Sequence, residues 1–296
     1  MKSAVTLRFL PLLLLLATAC ENDFSPKAEY EERIVIYSIL DRSAPYQVVR
    51  LERTYNADNS NPANAVDTDP VTEAQVTVTS DQQRFIFRDT LITLGDGSSK
   101  KVWISRELLP TERREYTLTV EVPGYNRITA KATVPTRSYA QFQVVPGAVR
   151  VTATPSNVSP ASGYYFRLWV VGSKTVDGQE VEVRREVPVY YNSETGSYEY
   201  PNPSRNSQEA FPTSLLQNIH SQMREEDGVS GRDIVGVAYS MDQYLYSFFK
   251  LARGFDDPVS VRQDRPDVSN IVNGVGIFGA MYPDSVRVRF SSIIQQ

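Results

Sequence analysis

The chain has 296 residues, a net charge of −4 at neutral pH, one cysteine and one histidine. This charge argues against nucleic acid as a partner, because no surplus of basic side chains is present to neutralise phosphates. The single histidine, His220, excludes paired-histidine zinc motifs and disfavours histidine-dependent hydrolases. It lies in a helical pattern and is predicted to be a helix-surface residue.

The first 19 residues have the three parts of a secretion signal. Lys2 and Arg8 supply positive charge, residues 9–16 are apolar apart from Pro11, and residues 17–19 are small. The apolar run is shorter than the ~20 residues that a membrane-spanning helix needs. Residues 1–19 are therefore predicted to be a signal peptide that is removed during export.

Cys20 follows this signal directly, and the sequence LATAC at residues 16–20 resembles a bacterial lipobox. Such a cysteine carries lipid, including palmitate, after cleavage. The alternatives are a buried apolar cysteine or a free thiol, and the position favours lipidation. Residues 21–32 hold five carboxylates and little apolar surface, so residues 20–32 are predicted to be the lipidated N-terminus and a disordered tether.

Residues 33–136 read as short strands separated by turns, which predicts an immunoglobulin-like β-sandwich domain. Apolar residues are continuous or alternate with a period of two in these stretches: 33–40, 46–53, 74–79, 84–88, 101–105, 116–122 and 128–134. Pro135 cannot donate to a sheet and suits an edge or a linker, so we place a domain boundary after residue 136.

Residues 137–296 are predicted to form a second β-rich domain that carries two short helices. Strands are expected at 148–153, 164–171, 180–187, 233–239 and 285–294, with a hairpin turn at Asp177-Gly178. Ser214 with Gln217, and Ser240 with Gln243, have the spacing of capping boxes that start helices. Gly228 and Gly254 are expected to end these helices.

Residues 274–279 spell G-x-G-x-x-G, the pattern of a dinucleotide-binding loop. That mechanism needs a helix beginning inside the motif, whereas Pro283 and a strand-like segment follow here. We therefore predict no nucleotide and no other cofactor. Asn273, Gly274, Gly276 and Gly279 are predicted to form a structural glycine turn.

Acidic residues cluster at two further places. Asp58, Asp67 and Asp69 lie in an asparagine-rich loop (56–69) that could hold calcium, although Asp and Asn are also the usual residues of turns. We predict no metal and leave calcium open as an alternative. Asp256-Asp257 reads as a turn rather than a catalytic pair.

Tyr190, Tyr191, Tyr198 and Tyr200 flank a turn at residues 194–197. Exposed tyrosines on a hairpin can form a surface for a protein partner or a sugar, because each combines apolar area with a polar tip. The alternative is cross-strand pairing inside a sheet.

The residues at 242–246 (DQYLY), 257–259 (DPV) and 269–280 (SNIVNGVGIFGA) resemble the domain-of-unknown-function 4249 family of Bacteroidetes lipoproteins. Strand segments at 46–51 and 71–78 also match. The resemblance implies an outer-membrane or cell-surface location and a partnership with a TonB-dependent receptor. It supplies no catalytic residues.

These observations lead to three functional hypotheses. The first is a non-enzymatic accessory or binding subunit, anchored through Cys20, of a TonB-dependent receptor in nutrient uptake. The second is a surface adhesin or glycan-binding module. The third is a hydrolase that uses carboxylates alone, which would need a spaced carboxylate pair in a deep pocket.

Overall fold

The structure is a computed structural model that describes residues 31–54, 71–93, 97, 99–155, 161–252 and 269–294. Residues Arg33–Gln296 belong to one compact unit. The predicted signal peptide, Cys20, the Asp/Asn loop at 56–69, Gly254 and the Asp256-Asp257 pair lie outside the described residues.

The described chain is mainly β, as the sequence predicts. Its elements follow in this order: β1 (Ile34–Asp41), β2 (Gln47–Arg53), β3 (Gln75–Ser80), β4 (Gln83–Thr93), β5 (Ser99–Ser105), β6 (Glu115–Glu121), β7 (Ile128–Thr133), β8 (Tyr139–Val145), β9 (Ala148–Thr154), β10 (Gly163–Val176), β11 (Gln179–Glu186), β12 (Tyr190–Asn192), β13 (Ser197–Glu199), β14 (Gln208–Pro212), α1 (Thr213–Asp227), β15 (Asp233–Met241), α2 (Gln243–Ala252), β16 (Ile271–Val272), β17 (Val275–Arg289) and α3 (Ser291–Ile294).

The strands from β1 to β7 form a sandwich because strand β4 belongs to two layers. Residues 83–87 of β4 pair with β3, and residues 88–93 of β4 pair with β5. One layer contains β3, β6, β7 and β16, and the other contains β5, β2, β1 and the strands beyond it. Side chains from both layers share one apolar core, including Ile36, Val49, Val78, Leu118 and Ile128. The predicted immunoglobulin-like sandwich is confirmed in this sense.

A second apolar core lies under the other half of the large sheet. A three-stranded sheet in the order β14-β9-β8 contributes Val151 and Phe211 to it, and β10 contributes Phe166 and Leu168. Helix α1 adds an apolar stripe of Leu216, Ile219 and Met223. Complete burial of each such side chain stabilises the fold by roughly 1.5–3 kcal/mol.

Strand β17 connects the two halves. It runs parallel to β1 and antiparallel to β15, so the large sheet is continuous from β11 to β16. Phe278 of β17 belongs to the first core, whereas Val288 packs against the second. The first core also takes in Ile271, Phe278 and Ala280, and residues 33–296 make up a single compact unit. The division expected after residue 136 therefore stays a prediction.

Helix α2 packs on the face of the large sheet that is turned away from the first core. Leu245 and Tyr246 pack with Ile39, Met241 and Met281 in a small third cluster. Ile39 points away from the first core because its neighbour Leu40 points into it, as alternation along a strand requires.

The two predicted helices are confirmed, but both predicted capping boxes are wrong. Helix α1 begins at Thr213 without a side-chain cap, and Gly228 ends it in the left-handed conformation, as expected. Helix α2 begins at Gln243, and its first turn is capped by Asp242 rather than Ser240, which lies in β15. Ser240 and Gln243 therefore have the spacing of a capping box without forming one, because Ser240 belongs to strand β15 and Gln243 begins the helix.

Two other local predictions have different outcomes. Asp177 and Gly178 both have positive φ and join β10 to β11, which confirms the hairpin turn. The strand expected at 285–294 is wrong in its bounds, because β17 ends at Arg289 and α3 follows. Pairing with both β1 and β15 extends β17 back to Val275, beyond what local alternation shows.

Candidate binding surface

The tyrosine-rich segment forms the two-stranded hairpin β12–β13, which lies outside the large sheet. Asn192 holds the turn, because its Oδ1 accepts hydrogen bonds from the backbone N–H groups of Glu194 (2.9 Å) and Thr195 (3.2 Å). This is the usual way in which an asparagine side chain stabilises a turn.

The strand register divides the tyrosines between the two faces of this hairpin. Tyr191 lies opposite Tyr198, and Tyr190 lies opposite Glu199. The rings of Tyr191 and Tyr198 are 5.0 Å apart and tilted by 46°, within the range of favourable aromatic pairs. Tyr190, Tyr191 and Tyr200 are 54%, 42% and 39% exposed. The hairpin thus has both features weighed from the sequence: a cross-strand pair and exposed aromatic area.

The base of the hairpin is attached to the second core. The hydroxyl of Tyr198 accepts a hydrogen bond from Nε2 of Gln222 on α1 at 2.9 Å. The backbone N–H of Val189 donates to the carbonyl of Glu199 at 2.8 Å and closes the base of the hairpin, and the side chain of Val189 packs against the second core.

Tyr200 lies close to a charged pair that the sequence did not reveal as a site. Burial raises the pKa of Tyr200, and the nearby Glu186 carboxylate raises it further. Glu186 accepts two hydrogen bonds from Arg167, from Nε at 2.8 Å and from the second guanidinium nitrogen at 2.6 Å. The guanidinium of Arg167 lies 4.5 Å from the ring centroid of Trp169. The alternation of Tyr165, Arg167 and Trp169 along β10 was the available sequence signal.

The predicted glycine turn comprises only its first two residues. Asn273 has φ +61° and precedes Gly274 in the turn between β16 and β17. Gly276 and Gly279 lie within β17. A Cβ on Gly276, which has φ +110°, would be 2.1 Å from the carbonyl oxygen of Ile36. Residues 274–279 thus form a turn and a strand, without the helix start of a dinucleotide-binding loop.

Asn270 and Asp242, both in the segments that carry the family resemblance, make structural contacts. Asn270 pairs with the backbone of Phe278, accepting from its N–H at 3.0 Å and donating to its carbonyl at 2.7 Å. Its Nδ2 also donates to the carbonyl of Lys131 at 2.9 Å. Oδ1 of Asp242 accepts from the backbone N–H of Leu245 at 2.7 Å and caps α2. These residues join β17 to β7 and to α2.

His220 lies on α1, and its ring stacks on Phe290 at 4.2 Å. It is therefore half-buried at the edge of the second core, rather than on an open helix surface as predicted.

Two aspartates of the described chain, Asp233 and Asp227, form ion pairs with arginines. Asp233 lies 3.0 Å from Arg287 and 3.2 Å from Arg289, and Asp227 lies 2.6 Å from Arg185. Within the described ranges, no group of three or more His, Cys, Asp or Glu side chains is arranged to hold a metal ion.

A groove of about 660 Å³ lies beside the first core, and Lys101, Asp89 and Trp103 are among its lining residues. The ammonium of Lys101 is 2.9 Å from Asp89 and donates to the carbonyl of Thr72 at 2.7 Å. The ammonium group of Lys101 therefore already has two partners within the protein, Asp89 and the carbonyl of Thr72.

No helix in the described residues is long and apolar enough to cross a membrane. The fold and the surface together define a mainly β protein with two large apolar cores, a small third cluster and a tyrosine-rich hairpin that is hydrogen-bonded to α1.

The chain belongs to the DUF4249 family, a domain of unknown function, whose model matches residues 21–287. No curated protein matches the chain.

Several solved structures show weak similarity. Domains A168–A170 of titin match at 10% identity and a TM-score of 0.19, over 73% of this chain and 62% of that fragment. The chicken interferon gamma receptor alpha chain matches at 7% identity and a TM-score of 0.18, over 71% and 89%. The FN1–FN3 domains of chicken CNTN1 match at 10% identity and a TM-score of 0.16, over 85% and 64%. The chain thus spans less than two thirds of the titin fragment.

Proposed function

We propose that this protein is an outer-membrane or cell-surface lipoprotein, anchored through Cys20, that serves as a non-enzymatic binding subunit of a TonB-dependent receptor in nutrient uptake. The observation that carries the proposal is the extent of the family match, which begins at residue 21, immediately after the cysteine of the predicted lipobox. An export signal followed by a lipidated cysteine delivers such a chain to a membrane surface.

The hairpin β12–β13 is the surface that we assign to the partner. Tyr190 and Tyr191 are about half exposed, and tyrosine is enriched where proteins bind one another. The hydrogen bond of Tyr198 with Gln222 and the packing of Val189 against the second core hold the hairpin in place. A pre-ordered aromatic surface of this kind suits a stable complex better than a flexible loop does.

A binding role accounts for the carboxylates better than hydrolysis does. A glycosidase needs two carboxylates that face one substrate across a gap. Asp233 and Asp227 instead make ion pairs with arginines.

The proposal is tested by purifying the tagged protein from outer membranes in mild detergent and identifying the proteins that accompany it. Recovery of a TonB-dependent receptor in about equal amount supports the proposal. A Tyr191→Ala variant should recover at least about tenfold less receptor if the hairpin contributes a central contact of ~1.4 kcal/mol or more. Recovery of the lipoprotein alone, in detergent that preserves other receptor complexes, would contradict it.

A second candidate function is a surface adhesin or glycan-binding module, which the paired rings of Tyr191 and Tyr198 favour. A glycan array probed with the wild-type chain and with Tyr191→Ala and Tyr198→Ala variants tests this candidate. An array on which the wild-type chain binds nothing would eliminate it.

A further inference from the structure

Tyr190 and Glu199 form a cross-strand pair on the hairpin β12–β13, which we call the outer pair. Side chains directly opposite each other on antiparallel strands share one face, with Cβ atoms about 4.5–5.5 Å apart. Tyr191 and Tyr198 occupy the other face, where Tyr198 bonds to Gln222 of α1. Tyr190 is 54% exposed, and Glu199 is also an exposed residue. The outer pair therefore presents an aromatic ring and a carboxylate side by side to solvent.

The same arrangement of a ring and a carboxylate occurs in the large sheet, where it holds an arginine. Trp169 of β10 lies opposite Glu186 of β11. The guanidinium of Arg167 lies 4.5 Å from the ring centroid of Trp169 and donates two hydrogen bonds to Glu186. The ring attracts the cation through its quadrupole, and the carboxylate matches the guanidinium fork. One arginine thus satisfies both members of such a cross-strand pair.

The outer pair has no arginine of this kind within the part of the chain that the structure describes. Arg167 reaches its partners from a position two residues before Trp169 on the same strand. The corresponding positions, two residues before and after each member of the outer pair, hold no basic residue: Pro188, Asn192, Ser197 and Pro201. No described lysine or arginine lies over the ring of Tyr190 or within ion-pair distance of Glu199.

The hairpin also differs from other exposed tyrosines in its charge. Tyr37 and Tyr139 are exposed on the large and the three-stranded sheet, and each has an arginine of its own chain near its ring. Residues 187–204, by contrast, include Glu194 and Glu199 but no lysine, arginine or histidine. The hairpin is therefore a negatively charged surface with aromatic rings that carry no cation from the described chain.

We propose that the outer pair binds an arginine side chain of the partner, and hence that the receptor surface facing the hairpin is basic. This inference rests on the proposed receptor-binding role of the hairpin and names the chemistry of the partner. Arginine fits better than lysine, because its planar guanidinium can stack on the Tyr190 ring while its N–H groups bond to Glu199. An apolar or acidic partner surface would instead bury Glu199 without a cation, which is costly.

A first test uses peptides and does not depend on the receptor. The full chain, made soluble by Cys20→Ser, is titrated into a rhodamine-labelled peptide of four Arg-Gly repeats at low ionic strength, where screening is weakest. The matched peptide carries citrulline, which has nearly the shape of arginine without its charge. Fluorescence anisotropy should show saturable binding of the arginine peptide with a Kd below about 1 mM, and at least about tenfold weaker binding of the citrulline peptide.

Three variants locate this binding at the outer pair. Glu199→Lys should weaken it by about tenfold or more, and Glu199→Gln and Tyr190→Ala should each weaken it by about two- to fivefold. Glu107→Lys is the matched control, because it makes the same change of net charge at an exposed position outside the hairpin. It should bind like the wild type. Circular dichroism identifies any variant that fails to fold, and the remaining variants then decide.

The outcomes distinguish this inference from the receptor proposal. The inference is overturned if the folded wild type shows no saturable binding of the arginine peptide up to about 1 mM, if both peptides bind equally, or if Glu199→Lys and Glu107→Lys bind equally. In the purification from outer membranes, Glu199→Lys should recover at least about tenfold less receptor than Glu107→Lys. Equal recovery would overturn the arginine inference alone. Arginine-selective binding through Glu199 without recovery of any receptor would overturn the receptor proposal alone.

Discussion

The carboxylate of Asp242 accepts a hydrogen bond from the backbone N–H of Ala280 at 2.9 Å, and the N–H of Asp242 donates to the carbonyl of Ala280 at 3.0 Å. Asp242 also caps α2 through Leu245. One side chain therefore fixes α2 to β17, and it does so at a position that is 8% exposed.

Burial raises the pKa of Asp242 to about 7, although backbone hydrogen bonds act in the opposite direction. A carboxyl whose pKa is higher in the folded than in the unfolded state stabilises the fold most below its unfolded pKa, near 4. That stabilisation is lost as the pH rises through about 7. Asp242 should therefore make the wild-type protein less stable at pH 8 than at pH 4.5, relative to a variant without the carboxyl.

Asp242→Asn should lower the free energy of unfolding by about 1–3 kcal/mol at pH 4.5, because the amide cannot accept both backbone hydrogen bonds. The gap between wild type and variant should narrow at pH 8. Urea unfolding at the two pH values measures this gap, with the exposed turn variant Asp177→Asn as the control. A gap that is constant or wider at pH 8 would contradict the assigned pKa.

Gly276→Ala should destabilise the fold by more than about 3 kcal/mol, because the new Cβ would meet the carbonyl oxygen of Ile36 at 2.1 Å. Gly124→Ala is the matched control. Gly124 also has positive φ, +84°, but no atom lies within 4 Å of its Cβ position. It should cost only about 1–2 kcal/mol from backbone strain. Equal losses of unfolding free energy would show that contact with β1 is not the reason for glycine at position 276.

Asn270→Ala should lower the free energy of unfolding by about 2–3 kcal/mol, since it leaves the backbone of Phe278 without its side-chain partner. Asn206→Ala, at an exposed position, should change the stability by less than about 0.5 kcal/mol. Thermal unfolding of both variants checks the comparison. A small effect at Asn270 would mean that its hydrogen bonds to Phe278 and Lys131 do not stabilise the contact between β17 and β7.

Cys20→Ser should abolish incorporation of labelled palmitate and release the protein from the membrane fraction. The reason is that the serine hydroxyl does not replace the thiol in lipid transfer. Labelled cells and fractionated membranes measure both effects. Labelled palmitate on the variant would contradict the lipobox interpretation.

Local periodicity predicted most of the fold. For example, the alternation predicted at residues 116–122 corresponds to strand β6 (Glu115–Glu121). A strand that is buried on one face requires apolar residues with a period of two. Local periodicity did not predict the first part of β17, residues 275–284, because glycines and a proline interrupt the alternation there and their places depend on distant strands. Position 276 requires glycine because the carbonyl oxygen of Ile36 lies where a Cβ would be. Pro283 lies opposite Tyr239 of β15.

The candidate sites were predictable only in part. Tyr190, Tyr191, Tyr198 and Tyr200 are close in sequence, so their grouping near one turn was visible. Arg167 and Glu186 are 19 residues apart, and their contact depends on the register of β10 and β11. No spacing rule identifies such a pair before the strands are aligned.

The most direct test of the central claim is photo-crosslinking from the hairpin in intact cells. A photoreactive phenylalanine replaces Tyr191, and a matched variant carries it at Leu91, which is 71% exposed on β4. If the hairpin binds the receptor, the Tyr191 variant should form an adduct with a TonB-dependent receptor that is at least about tenfold stronger than the adduct from position 91. An adduct of equal strength from both positions, or none from Tyr191 in a correctly anchored protein, would contradict it.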